Sequence, residues 1–228
     1  MAKRAATAWC PPFNDRDMSV SPSKENILKK IREALSRSTP LPFPQSEGNQ
    51  QVFPPLQQEP EVEFAEQFTK LQGKFIYCIN QQELAFQLAS LVKKQDWQKV
   101  YCVEEKLVEP VASQLADRLV TTDLAHCDVS ITGCEWLVAR TGSIVMSTAQ
   151  KSGRTASVYA PVHICIASTN QLVYDIKDAL QAAREKYGNQ FPSLITFATG
   201  PSRTADIEKT LVVGVHGPKE VYLFLVEG

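Results

Sequence analysis

Between residues 61 and 228, short continuous apolar runs alternate with segments whose apolar positions recur at helical spacing. Lys74-Phe75-Ile76-Tyr77-Cys78-Ile79 reads as a strand, and Asn80-Gln81-Gln82-Glu83 after it is close to a capping box. The helix that follows carries Leu84, Leu88, Leu91 and Val92 on one side. Val100-Tyr101-Cys102-Val103 predicts a second strand, with a helical segment around Val111 to Leu119 behind it. Leu172, Ile176, Ala179, Leu180, Ala183 and Tyr187 repeat as one helix, with Gly188 placed to end it. Leu194-Ile195-Thr196-Phe197-Ala198 and Val221-Tyr222-Leu223-Phe224-Leu225-Val226 are strands of the buried type. Such runs separated by helices predict an α/β fold with a mainly parallel sheet flanked by helices. The middle breaks the alternation. Trp136–Ala139 and Ser143–Met146 flank Arg140-Thr141-Gly142 as a hairpin or tight turn, and Val162–Ala167 is a further strand. An inserted antiparallel portion is expected there.

The first sixty residues behave differently, holding nine of the fourteen prolines. Residues 1–17 read as an unstructured amino terminus, and residues 18–60 as a helix followed by a proline-rich linker. Ser23 caps the predicted helix, in which Ile27, Leu28, Ile31, Ala34 and Leu35 form one apolar stripe. Pro40-Leu41-Pro42-Phe43-Pro44 and Val52-Phe53-Pro54-Pro55 fit neither helix nor central strand. Met18 is a candidate translation start. The α/β domain proper is expected over residues 61–228.

Composition narrows the function classes. With 24 Lys plus Arg against 25 Asp plus Glu, the formal net charge is −1, which argues against a nucleic-acid binder that works by phosphate neutralisation. Six cysteines without a C-x-x-C pair argue for a reducing compartment and against a zinc ribbon or a cysteine-held cluster in this chain. No run approaches the roughly 20 apolar residues of a membrane span. A cytoplasmic protein is expected, with no membrane partner.

Three segments offer chemistry. Gly200-Pro201-Ser202-Arg203-Thr204-Ala205-Asp206-Ile207-Glu208 follows a predicted strand and is expected to open a helix reaching about Val213. Its amides and Arg203 suit a carboxylate or phosphate. The same residues equally suit helix capping plus an Arg–carboxylate pair. Ser147-Thr148-Ala149-Gln150-Lys151-Ser152-Gly153-Arg154-Thr155-Ala156-Ser157 offers hydroxyls and two cations, Lys151 and Arg154, or is a solvated loop. It lacks Walker order, and no helix is expected after it. His216, in a predicted helix-to-strand turn, is a possible acid or base or a hydrogen-bonding turn residue. His163 sits in an apolar strand as a satisfied core residue, and His126-Cys127-Asp128 lacks a second matching pair for a metal. No metal site is expected.

Together, Ile131-Thr132-Gly133-Cys134-Glu135-Trp136-Leu137-Val138-Ala139-Arg140-Thr141-Gly142-Ser143, the strand around Pro161-Val162-His163-Ile164, and the run from Thr199 to Glu208 through Gly214-Val215-His216-Gly217-Pro218 resemble the lactate utilisation protein C family, the LUD domain. The resemblance covers roughly residues 61–228. It implies a fold like that of the NagB/RpiA/CoA-transferase group. It also implies a part in oxidising L-lactate to pyruvate beside iron–sulfur partner proteins, with no cofactor in this chain. The motif positions it marks are Thr132, Gly133, Thr141, Gly142, Ser143, Gly200, Ser202, Arg203 and Thr204. With Lys151 and Arg154 these are the candidate ligand-binding residues for a small carboxylate or phosphate. Arg203, Asp206, Glu208 and His216 are the candidate catalytic residues. Family members commonly carry Ala-Glu-Thr-Gly where this chain has Ala139-Arg140-Thr141-Gly142. An acyl-accepting carboxylate is therefore absent at 140, and Glu135 is expected on the opposite face. The other readings of the same segments are a free-standing phosphosugar isomerase or acyl transferase, and a sensor of small carboxylates.

Overall fold

The computed structural model describes residues 22–36, 55–56, 58–207 and 210–228, in two compact units, Met1–Phe53 and Pro54–Gly228. In the first unit α1 spans Pro22–Ser36, so Ser23 lies within the first turn instead of capping it. Ile27, Leu28 and Ile31 of its apolar stripe are exposed. The expectations for residues 1–17 and most of the linker fall outside the described residues, as does Glu208.

The second unit begins with a helix that the sequence reading missed, α2 (Pro60–Lys70). Proline at its first turn costs no hydrogen bond there. Phe64 and Phe68, one turn apart, are both fully buried with ring centroids 5.4 Å apart. Then come β1 (Lys74–Cys78), α3 (Gln81–Lys94), β2 (Val100–Tyr101) and α4 (Glu105–Leu115). Asn80 caps α3 by accepting from the Glu83 amide at 2.9 Å, while Glu83 reaches back to the Ile79 amide. After α4 follow β3 (Leu119–Val120), β4 (Val129–Thr132), β5 (Trp136–Val138) and β6 (Ser143–Ser147). The short α5 (Ala156–Tyr159), β7 (Val162–Ser168), β8 (Leu172–Val173), α6 (Ile176–Tyr187) and β9 (Ile195–Ala198) come next. A hairpin of β10 (Arg203–Ile207) and β11 (Thr210–Val213) precedes β12 (Glu220–Val226).

Six strands form a wholly parallel sheet in the order β1-β12-β7-β4-β2-β3. Along β12 the pleat sorts side chains between two cores. Tyr222, Phe224 and Val226 join Leu84, Leu88 and Val92 of α3, whereas Val221, Leu223 and Leu225 join Phe64, Phe68, Leu137 and Ile144. Helices α3 and α4 thus cover one face. The other is covered by α2 and a second sheet, β8-β5-β6-β9, the expected insertion, whose far side carries Val138, Val145 and Ala179 of α6. Within it β5–β6 and β6–β9 are antiparallel. Among the described residues no helix is long and apolar enough to cross a membrane.

Several predicted elements are corrected. The helix expected over 203–213 is the β10–β11 hairpin, so Arg203, Thr204 and Asp206 lie on a strand and no helix amino terminus stands there. His216 accordingly sits in a strand-to-strand turn. The helix behind β2 runs from Glu105 to Leu115, and Leu119 is a strand residue. Leu172 belongs to β8, because Asp175 caps α6 through the Lys177 amide at 3.2 Å and starts that helix later. A short helix, α5, begins at Ala156, within the 147–157 segment after which no helix is expected.

Candidate functional site

The carboxyl ends of β2, β4 and β7 open into a cleft of about 520 Å³. In open α/β sheets this edge is where ligands settle. Each wall is the segment directly behind a strand. Glu104, Lys106 and Leu107 follow β2; Gly133, Cys134 and Glu135 follow β4; Ala149 and Gln150 follow β6; and Gln171 follows β7. Lys186 and Tyr187, at the end of α6, complete it.

Glu135 is the most buried charge here, its side chain 3% exposed. One carboxylate oxygen accepts from the Ser147 hydroxyl at 2.6 Å and from the Tyr187 hydroxyl; the other accepts from Lys186 Nζ at 2.5 Å. Burial opposes ionisation, but Lys186 and the two hydroxyls outweigh it and hold the carboxyl below the ordinary range. Burial likewise opposes charge on Lys186, and Glu135 more than offsets it, raising that amine. Burial and the Glu135 charge push the Tyr187 phenol up. At neutral pH the trio is therefore carboxylate, ammonium and neutral phenol, and the ammonium is half-exposed towards solvent. Arg140 is separate from this trio and forms a fork with Asp175 at 2.7 and 3.3 Å; it lies in a 3-10 turn over Ala139–Thr141, so the odd spacing expected of an extended segment does not govern the two residues.

The floor is firmly built. Gln171 Nε2 donates to the Cys134 carbonyl at 2.6 Å while its Oε1 accepts from the Ser168 amide at 2.8 Å. Thr132, 1% exposed, shares a hydrogen bond of 2.9 Å with His163 Nε2. Burial lowers the His163 pKa to about 4, so the ring is neutral and serves the core, as its place in an apolar strand suggests. Burial and the neighbouring Cys134 thiol push Cys165 well above the usual thiol range. Among the described residues no cluster of three or more His, Cys, Asp or Glu side chains suits a metal ion.

Of the sequence-predicted site residues, the structure brings Gly133 to this cleft, with Thr132 buried just before it in the chain. Lys151 stands beside it, paired with Glu105 in the first turn of α4. Arg154 donates to Ser193 at 2.8 Å. Thr141, Ser143 and Thr199 form a hydroxyl chain at 2.7 and 2.8 Å under α2, away from the cleft walls. Gly142, with φ +59°, lets the backbone of α2 approach, as an added Cβ would lie 2.6 Å from the Phe68 nitrogen. Gly200 lies against the Leu71 carbonyl, and Arg203 donates to that same oxygen. Ser202 holds the base of the hairpin through its amide to Pro218 and its carbonyl from Gly214, at 3.0 and 2.9 Å. Exposed His216 lines a separate hollow of about 400 Å³ with Tyr159 and Lys219. Glu104, Glu135, Gln150, Gln171, Lys186 and Tyr187 were not singled out as site residues, although a polar residue directly behind each apolar strand was a readable signal.

The fold is thus an α/β protein with a polar cleft at the carboxyl edge of a parallel sheet. Residues 98–226, more than half of the chain, match the LUD domain family, and the chain belongs to it. It is similar to lactate utilization protein C of Bacillus subtilis (37% identical over 103 residues, 44% of this chain and 43% of that protein). It is also similar to the same-named protein of Anoxybacillus flavithermus (29% over 156 residues, 68% and 64%). An uncharacterised protein of Neisseria meningitidis is 29% identical over 120 residues, 52% of this chain and 51% of the relative. The chain thus spans about half the length of most of these curated relatives. The crystal structure of a DUF162 family protein from Deinococcus radiodurans shares the fold, with a TM-score of 0.55 at 20% identity over 75% of this chain and 99% of that one.

Proposed function

We propose that this protein is a component of a cytoplasmic lactate-utilisation system and that its part is to bind a small carboxylate in the cleft at the sheet's carboxyl edge. Oxidising L-lactate to pyruvate releases two electrons and two protons. In this reading iron–sulfur partner proteins take the electrons, and the present chain presents or senses the acid. The observation that carries the reading is that the LUD match, residues 98–226, takes in every cleft-lining segment from Glu104 to Tyr187. Relatives in that family bear the name lactate utilization protein C. A cleft lined by two lysines and two carboxamide side chains has donors for a carboxylate and retains polar groups to orient it.

Anaerobic affinity purification of the tagged chain from its native host tests membership. The expected eluate holds partners with the broad visible absorbance of iron–sulfur clusters and reduces a dye when L-lactate is added. A colourless, inactive eluate from cells growing on L-lactate, together with undiminished growth of a deletion strain on that substrate, refutes it.

A further inference from the structure

Glu104 is the residue before α4, yet its side chain makes no cap bond to that helix. It turns instead to β4's end, where one carboxylate oxygen accepts the Gly133 amide at 3.1 Å. A Cβ on Gly133 would meet the other oxygen, Oε2, at 2.9 Å and Gln150 Nε2 at 3.8 Å. Both atoms therefore approach the same side of Gly133, where an added Cβ would displace the Glu104 carboxylate and leave Gln150 in ordinary contact. The Gln150 carboxamide is fixed the right way round, because its oxygen accepts the Ser147 amide at 2.9 Å and its nitrogen is left over the cleft. Neither Glu104 Oε2 nor Gln150 Nε2 has a hydrogen-bond partner among the described residues. The cleft floor so presents, side by side, an atom that only accepts and an atom that only donates.

One small functional group satisfies both at once. An alcohol donates its proton to the carboxylate oxygen and accepts from the amide nitrogen. A ketone oxygen satisfies only the amide, and its lone pairs face those of the carboxylate; a methylene satisfies neither. Charge in the cleft points to the neighbouring group of the ligand. Glu135 and Lys186 neutralise one another, while the ammonium of Lys106 stands in the same cleft without an ion pair among the described residues. An acid whose carboxylate meets Lys106, and whose next carbon bears a hydroxyl, matches these groups.

We propose that Glu104 and Gln150 form a hydroxyl-reading pair that makes this cleft select 2-hydroxycarboxylates over 2-oxocarboxylates of the same size. The proposal rests on the reading of the cleft as the ligand site and adds to it a direction: the chain recognises the reduced acid, not its oxidised product. Glu104 and Gln150 are specificity residues in this scheme and move no electrons. A hydrogen bond to a charged group in an open cleft supports discrimination of about tenfold.

The test is an NMR titration of the full chain with L-lactate, pyruvate and propionate. The expected order is L-lactate about tenfold tighter than either of the others. Glu104→Gln keeps the shape and an oxygen for the Gly133 amide but can turn a donor to the ligand, and it is expected to erase or reverse the preference for lactate over pyruvate. Gly133→Ala, which pushes Glu104 off its place, is expected to shrink that preference while the chain stays folded. Equal or tighter binding of pyruvate by the unaltered chain overturns the proposal, as does an unchanged preference in Glu104→Gln. Failure of all three acids to bind overturns it too, and if the chain still purifies with an active lactate-oxidising complex, membership stands without this site. Correct selectivity in a chain that recruits no partner leaves the proposal standing and removes the complex.

Discussion

Replacing Gly142 by alanine separates two costs that a glycine in a turn can hide. The residue has φ +59°, and an alanine there pays roughly 1–2 kcal/mol for the left-handed backbone. Its new Cβ would also stand 2.6 Å from the Phe68 nitrogen and 2.9 Å from the Gln67 carbonyl carbon, both backbone atoms of α2. Backbone has no rotamer through which to yield, so α2 must shift and loosen Phe64 and Phe68; such overpacking costs typically about 1–3 kcal/mol more. Gly153 is the internal control. Its φ is +65° and nothing lies within 4 Å of its added Cβ, so Gly153→Ala meets the first cost alone. The entropy that alanine removes from the unfolded chain is common to both and cancels. Urea unfolding followed by far-ultraviolet dichroism is expected to place Gly142→Ala below Gly153→Ala by about 1–3 kcal/mol at unchanged slope, or about 2–12 °C in melting temperature. Equal midpoints for the two variants would show that α2 does not rest on the 139–142 turn as described.

Two further outcomes are expected. Unfolded histidine takes up a proton near 6.5, whereas buried His163 resists it down to about 4, so the unfolded chain binds more protons across that window and stability falls as pH drops through it. The loss is about 3 kcal/mol and should shrink in His163→Asn when urea midpoints at pH 7 and pH 4 are compared; parallel profiles would show that His163 is not the source. Arg140→Glu sets a second carboxylate against Asp175 and is expected to cost about 2–4 kcal/mol, with partial recovery in Arg140→Glu/Asp175→Asn, a coupling that a double-mutant cycle measures directly. Additivity in that cycle would sever the fork from the stability of α6.

Of the six parallel strands, β1, β2, β7 and β12 were readable because each is a continuous apolar run, whereas β3 begins inside the helix predicted before it and β4, Val-Ser-Ile-Thr, alternates apolar with polar residues and was passed over. α2 was missed although Phe64, Ala65, Phe68 and Leu71 recur at helical spacing, because the proline that leads the segment and the polar residues between them resemble the preceding linker. The 203–213 hairpin was misread because Ile207 and Leu211 stand four apart, as on a helix, while the β-forming Leu211-Val212-Val213 carried the competing and correct signal. The TG motif at 132–133 did lead to the cleft, whereas the one at 141–142 led to a packing contact, and local sequence does not distinguish them. Glu104 and Gln171 follow strands of the six-stranded sheet, Gln150 follows a strand of the second sheet and Lys186 stands near the end of α6, so their meeting is a fact of topology that no local spacing encodes.

The place of β12 has a consequence for how the molecule comes into being. β1 has one neighbour in its sheet, β12, and Lys74 and Glu220, which pair across that ladder, stand 146 positions apart. On the ribosome, everything translated before residue 220 therefore carries two unpaired apolar edges, β1 on one side and β7 on the other, with the central slot between them empty. Such edges invite pairing with other nascent chains. Zipping β12 into that slot is a late, long-range step that joins β1 to the other four strands at once. The protein's exposure to aggregation is thus concentrated in the interval before its strand of latest synthesis arrives, and chaperone demand should track that interval more closely than the stability of the finished fold.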